Sequence, residues 1–306
     1  MAALSSKYRV LVSVVVVNYN AGTLLSECVA LALPQSSKMI VVDNFSADNS
    51  LCALHQRFAG EPCLHVVGAD RNLGFAVACN LGASYTRTPY LLFLNPDCLL
   101  LDGTLSRLVE VMEDNPRAAV AGGLLLNPNG TEQPGGRRAI PTPWRSFVRA
   151  FGLARFADRW PKLFFDFHLH KQPLPEQPIE VEAISGAMML VRREAIEEVG
   201  WWDEGYFLHC EDLDWCMRFR KQGWKILFIS DAPAVHYRGT CSRSRPIFVE
   251  WHKHKGMIRF YRKFFRHQYP LGLMGLVTVG VWLRFSMVAT YYTVKHIGRR
   301  LKPGHG

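Results

Sequence analysis

The 306 residues contain eight cysteines but no Cys-x-x-Cys pair and no Cys/His cluster at zinc-ligand spacing. These cysteines, at positions 28, 52, 63, 79, 98, 210, 216 and 241, sit largely within apolar runs and read as small core residues in a reducing compartment. No Gly-x-Gly-x-x-Gly follows the first apolar run and no Gly-x-x-x-x-Gly-Lys-Ser/Thr occurs, which excludes a dinucleotide fingerprint and a phosphate-cradling P-loop. There is no internal repeat and no low-complexity tract. Acidic residues almost vanish after position 240: residues 241–306 hold 13 of the 36 Lys and Arg but only one of the 26 acidic residues, Glu250. The net charge of +10 therefore belongs to the C-terminal tail, and nucleic acid is not the expected partner of the whole chain.

What is present is the composition of a folded protein, 49% apolar and 20% charged with a mean hydropathy of +0.01. Lys7 and Arg9 precede an apolar run, but that run ends at Asn18-Tyr19-Asn20 without a small-residue cleavage site, so a strand explains it better than a signal peptide. Val10 to Val17 is β-branched and nearly continuously apolar, as expected of a parallel strand covered on both faces. A helix over about 23–33, a strand at 39–42, a helix near 50–58, a strand near 64–67, a helix near 74–84 and a strand at 90–94 follow. This alternation predicts an open, mostly parallel α/β sheet. Further along, a helix is expected at about 102–113, strands at 118–126 and 182–191, helices at 192–199 and 211–223, and a strand at 225–229. Residues 127–180, rich in Pro, Gly and Arg, read as a long excursion that shapes a site.

Ligands of such sheets bind beyond the carboxyl ends of the strands. Three constellations collect there. Asn95-Pro96-Asp97 projects a carboxylate from a strand end, which suits a hard divalent cation sharing diphosphate oxygens, although the tripeptide alone is an ordinary Asx-type turn. Glu211-Asp212-Leu213-Asp214 packs three carboxylates into a helix start, where the helix dipole accounts for them unless one acts as a base. His236 ends a strand-like run from Ala232 to Val235.

In order along the chain, Asn18-Tyr19-Asn20, Val41 to Ser50, Arg71 to Asn80, Asn95-Pro96-Asp97, Ser185-Gly186-Ala187, Glu211 to Asp214 and His236 resemble family 2 of the inverting glycosyltransferases, with the GT-A fold. The similarity covers about residues 10–240 and is greatest to the bacterial rhamnosyltransferase group, which builds lipid-linked surface polysaccharides. It implies that Asp43 reads the donor's pyrimidine base while Asn18, Asn20, Asn72, Gly74 and Asn80 help hold base and ribose. It also implies that Asp97 is the last aspartate of the metal-binding motif and His236 the histidine completing the metal or diphosphate site. Asp212 is then the catalytic base, with Glu211 and Asp214 as supports. Asn95 departs from the family's usual first aspartate, and an amide oxygen is a weaker ligand than a carboxylate. Arg238, two residues beyond His236, is expected either to assist at the diphosphate or to be a solvated surface charge. The implied cofactor is Mg²⁺ or Mn²⁺. The implied donor is deoxythymidine-diphosphate-rhamnose, with a UDP-hexose or galactofuranose donor as the alternative, and the acceptor is a polyprenyl-diphosphate-linked saccharide.

Two rivals are weaker. A sugar-nucleotide nucleotidyltransferase needs a basic glycine-rich loop after the first strand, and Asn18 to Gly22 has none. A non-catalytic membrane or nucleic-acid binding protein is disfavoured by the presence of both Asp97 and Asp212.

The division expected is a catalytic domain over 1–240 and a membrane-associating helical tail over 241–306. Trp251 to His267 interleaves six Lys and Arg with aromatic residues at helical spacing, so an aromatic face is expected on an anionic membrane. Leu271 to Val294 carries only Arg284 as charge. A mid-bilayer arginine costs about 2.5–3.5 kcal/mol, and both flanks are basic, so the expectation is a helix pair broken near Arg284 and embedded in the cytoplasmic leaflet.

Overall fold

The computed structural model describes residues 8–157, 159–164, 167–239 and 245–300. The first half alternates as the apolar pattern requires: β1 (Val12–Asn18), α1 (Leu24–Ala32), β2 (Lys38–Asp43), α2 (Ser50–Arg57), β3 (Leu64–Gly68), α3 (Phe75–Ser84), β4 (Tyr90–Leu94), β5 (Cys98–Leu100), α4 (Thr104–Asp114) and β6 (Ala118–Leu126). The excursion contributes β7 (Arg137–Arg138), α5 (Pro143–Ala150), β8 (Ile179–Glu180) and β9 (Ala183–Ile184). It is followed by β10 (Met188–Arg192), α6 (Arg193–Val199), α7 (Glu211–Lys221), β11 (Lys225–His236), α8 (Pro246–Phe265) and α9 (Leu271–Arg300).

One sheet runs in the order β3-β2-β1-β4-β10-β6-β11-β5, with β8 paired to β11. β1 to β4 are parallel, and β10 enters antiparallel between β4 and β6. β7 and β9 form a separate two-stranded ribbon. Alternate side chains of β1 supply both faces: Val15 and Val17 join one apolar layer, Val12, Val14 and Val16 the other.

Several expectations need correction. The strand expected over 182–191 is two short strands interrupted by Ser185-Gly186-Ala187. The pieces at 225–229 and 232–235 are one strand with an irregular register between Ile229 and Pro233. β5 was not anticipated. The aromatic face of α8 does not meet a membrane: Phe260, Tyr261, Phe264 and Phe265 are buried in the same apolar layer as Trp215 and Phe219 of α7. The break expected near Arg284 is absent, because α9 is a single unbroken helix. Its Gly272–Ile297 stretch is long and apolar enough to cross a membrane by length and composition. The expected boundary at 240/241, like Cys241, lies outside the described residues.

Candidate active site

The register of the parallel strands sets the first wall. Asn18 and Asp43 are paired at the carboxyl ends of β1 and β2, and Asn18 Nδ2 donates to Asp43 Oδ1 at 2.8 Å. The other oxygen of Asp43 accepts from the Ser46 N–H at 3.1 Å, across a turn whose Phe45 has φ +69°. Asn20 Oδ1 receives the Ala47 N–H at 2.7 Å, so Asn18 and Asn20 shape the loop that presents Asp43. Asn72 is drawn to the same wall by the Asn44 amide at 3.0 Å and receives the Gly74 N–H at 3.0 Å. Gly74 itself, at φ +84°, lies so close to Phe207 that a Cβ there would stand 2.8 Å from the Phe207 carbonyl oxygen. Asn80 points elsewhere: its side chain bonds both backbone groups of Trp202, at 3.0 and 3.2 Å, and Glu204 at 2.9 Å.

The second cluster forms where β11 pairs antiparallel with β5, putting His236 opposite Cys98 and beside Asp97. His236 Nε2 lies 3.2 Å from Asp97 Oδ1, with the Asn95 amide 3.5 Å away, and both Asp97 and His236 are buried. Gln133, which sequence reasoning missed, orients this ring. Its Nε2 donates to the His236 backbone oxygen at 3.2 Å, an atom that only accepts, so its Oε1 takes the Nδ1 proton at 2.7 Å. In the neutral ring Nε2 then turns its lone pair toward the carboxylate, an arrangement suited to a shared cation. Among the described residues no group of three or more His, Cys, Asp or Glu side chains is arranged to hold a metal ion by itself. Arg238 lies exposed two residues further on.

The third cluster begins α7. His209 and Cys210 both have positive φ, +68° and +72°, a strained pair held by packing that delivers Glu211 and Asp212 at the helix start. Asp212 Oδ2 pairs with the Arg138 guanidinium of β7 and accepts the Gly186 N–H at 3.1 Å, while Oδ1 accepts the Leu213 N–H at 2.8 Å. Arg138 is another residue missed from sequence, because a strand of two residues inside a Pro- and Gly-rich stretch gives no periodic signal. Glu211 is buried with Oε2 unpartnered, and burial together with the Asp212 charge pushes its carboxyl up to about 8. Asp214 is fully buried and faces the protein interior, receiving Tyr206 Oη at 3.1 Å, Arg218 at 2.7 Å and Lys263 of α8 at 2.7 Å.

The strap Ser185-Gly186-Ala187 joins the second and third clusters. Gly186 donates its N–H to Asp212 while the carbonyl of the next residue, Ala187, accepts the Asn95 N–H at 2.9 Å. Carboxylate-bearing turns at the carboxyl ends of a mostly parallel sheet, an Asp–His pair and an acidic helix start held beside it define a nucleotide-sugar transferase of the GT-A architecture. Solved structures agree on the fold. A mannosyltransferase from Pyrobaculum calidifontis in complex with GDP-Man and Mn²⁺ superposes with a TM-score of 0.56 at 17% identity, over 90% of this chain and 70% of that one. GalNAc-T7 with UDP, GalNAc and Mn²⁺ gives 0.56 at 16% identity, over 74% and 44%.

The chain belongs to glycosyl transferase family 2, whose model matches residues 13–200, and it is a glycosyltransferase. Its relatives include the N-acetylglucosaminyl-diphospho-decaprenol L-rhamnosyltransferase of Mycobacterium tuberculosis strain H37Rv, 29% identical over 239 residues, which covers 74% of this chain and 75% of that protein. Rhamnosyltransferase WbbL of Escherichia coli K12 is 25% identical over 197 residues, 60% and 69% of the two chains. Within the family the chain is rhamnosyltransferase-like.

Proposed function

We propose that this glycosyltransferase transfers rhamnose with inversion from deoxythymidine-diphosphate-rhamnose to a polyprenyl-diphosphate-linked saccharide, at the cytoplasmic face of the plasma membrane, in surface polysaccharide synthesis. The rhamnosyltransferase names of its relatives support the sugar, and the diphospho-decaprenol named for the mycobacterial enzyme supports the acceptor. The observation that carries the reading is the strap at Ser185-Gly186-Ala187, which fixes Asp212 relative to the Asn95-to-Asp97 turn.

Inverting transfer displaces the nucleoside diphosphate in line as the acceptor oxygen attacks the anomeric carbon. Asp212 accepts the acceptor's hydroxyl proton, and Arg138 with the Gly186 N–H holds its carboxylate in place. Asp43 receives the pyrimidine, backed by Asn18 and Asn20, and Asn72 stands beside them toward the ribose. Asp97 and His236 would hold Mg²⁺ or Mn²⁺, with Gln133 fixing the ring and Arg238 near the diphosphate. When bound, that ion neutralises the charge developing on the leaving diphosphate. Asn80 and Asp214 support loops and helices rather than touch the donor.

The test is turnover by the full chain in detergent, across a panel of nucleotide sugars with a polyprenyl-diphosphate saccharide, with and without Mn²⁺ or Mg²⁺. Deoxythymidine-diphosphate-rhamnose should be consumed, and Asp212→Asn should lower kcat by roughly 10²–10⁴-fold while donor still binds. Turnover of a UDP-hexose or galactofuranose donor instead reassigns the sugar. An Asp212→Asn variant within a few-fold of the parent removes the base assignment.

A further inference from the structure

Helix α5 is amphipathic in an inverted sense. It buries Pro143 and Val148 and turns Trp144, Phe147 and, at its end, Phe151 to the outside, 44%, 45% and 66% exposed. Soluble domains seldom leave adjacent large aromatics uncovered in this way. They form one connected surface: Trp144 stacks on Phe147 with centroids 5.6 Å apart, and Phe147 contacts Phe151 at 4.5 Å. The Trp144 indole N–H donates to the Leu163 carbonyl at 2.7 Å, which draws the following segment, with exposed Trp160 and Leu163, alongside.

The charge of this stretch has one sign. Residues 143–164 carry five basic side chains and a single acid, Asp158. Arg155 and Arg159 lie over the rings of Phe156 and Trp160, so cations edge the aromatic surface. Exposed aromatics bordered by arginine match the chemistry of a bilayer's headgroup boundary, where rings enter the acyl edge and cations meet lipid phosphates.

We propose that the α5 surface, from Trp144 to Leu163, docks on an anionic phospholipid bilayer, as a contact separate from α9. Two connections place it usefully. Tyr261 of α8 donates to Ser146 of α5 at 2.7 Å, and α8 in turn packs on α9 through Trp251 and Trp282, with centroids 4.9 Å apart. Only four residues separate Pro143 from Arg138, the partner of Asp212, so the two Cα atoms lie at most ~18 Å apart. Docking therefore brings the base to the depth at which a lipid-linked diphosphate presents its sugar. The inference deepens the reading of a lipid-linked acceptor, and its test reads lipid contact rather than turnover, so that either can fail alone.

The experiment is hydrogen–deuterium exchange of the full chain in bilayer nanodiscs of phosphatidylcholine alone or mixed equally with phosphatidylglycerol. Peptides over 143–157 should exchange roughly tenfold more slowly in the anionic discs than in the neutral ones. Phe147→Ser with Phe151→Ser should abolish that difference while the melting temperature stays unchanged. Peptides of α9 report insertion separately. Equal exchange of 143–157 in the two disc types overturns the proposal. So does protection that follows the number of protein copies per disc rather than lipid charge, which would make the surface a contact between chains.

Discussion

Replacing Glu211 by Gln should change how stability depends on pH. The Glu211 carboxyl is buried, its Oε2 has no partner, and burial with the neighbouring Asp212 charge raises it from 4.5 to about 8. A carboxyl raised in the folded state binds its proton more tightly there than in the unfolded chain. The stability this brings is complete below pH 4.5 and is lost as pH rises toward 8, at about 1.4 kcal/mol per pH unit. His209, lowered to about 4 chiefly by desolvation and then by Lys253, acts oppositely, adding stability as pH climbs from 4 to 6.5. His252 and His254 are lowered as well and work in the same direction. The raised thiols and phenols begin to matter only near their ordinary values of 9 and 10. The window from pH 6.5 to 8 therefore isolates Glu211, which should forfeit about 2 kcal/mol across it, or roughly 4 °C of melting temperature. Thermal unfolding of the full chain in detergent, followed by tryptophan emission, should show that decline in the parent and a nearly flat profile for Glu211→Gln. Asp212→Asn removes the neighbouring charge and should move the decline to lower pH. Parallel profiles for parent and Glu211→Gln would refute the argument that Glu211 is buried protonated.

Gln133→Leu removes both the acceptor of the His236 Nδ1 proton and the donor to its backbone oxygen; Mn²⁺ affinity, titrated by electron paramagnetic resonance, should fall roughly 10–100-fold, and an unchanged affinity would separate Gln133 from the cation site. Gly123→Ala drives a methyl group into the Ala232 carbonyl oxygen where β6 meets β11, and should cost on the order of 3 kcal/mol in denaturant unfolding, whereas a change below 1 kcal/mol would mean the strands part easily.

Much of the sheet was legible because parallel strands covered on both faces must be continuously apolar, and Val12 to Asn18 or Tyr90 to Leu94 admit little else. Lengths failed where tertiary pairing overrode local pattern. Polar, partly exposed Ser230 and Asp231 hid the continuity of β11, and three-residue β5 exists only because β11 pairs with it. In the candidate site, motif order singled out Asp43, Asp97, Asp212 and His236, whereas Arg138 and Gln133 contact partners 74 and 103 residues away and carry no local signal. Amphipathicity likewise said that one face of α8 is covered without saying by what, and the cover is α7 and its neighbours rather than lipid. Arg284 suggested a break in α9, yet a helix satisfies its backbone whatever side chain it carries, so a single charge affects where a helix partitions and not whether it bends.

The position of β10 has a consequence for how the chain is made. It fills the space between β4 and β6, both of which leave the ribosome more than sixty residues earlier, and β11 later slots between β6 and β5. Two openings must therefore be kept in an unfinished sheet, with bare strand edges and apolar faces, until late residues arrive. Because α8 closes that apolar layer, the catalytic body cannot be sealed before about Phe265 has emerged, just as the apolar α9 begins to follow. Emergence of the long apolar helix and completion of the sheet thus fall together in time, and slowing translation beyond residue 265 should raise the yield of active enzyme more than slowing it earlier.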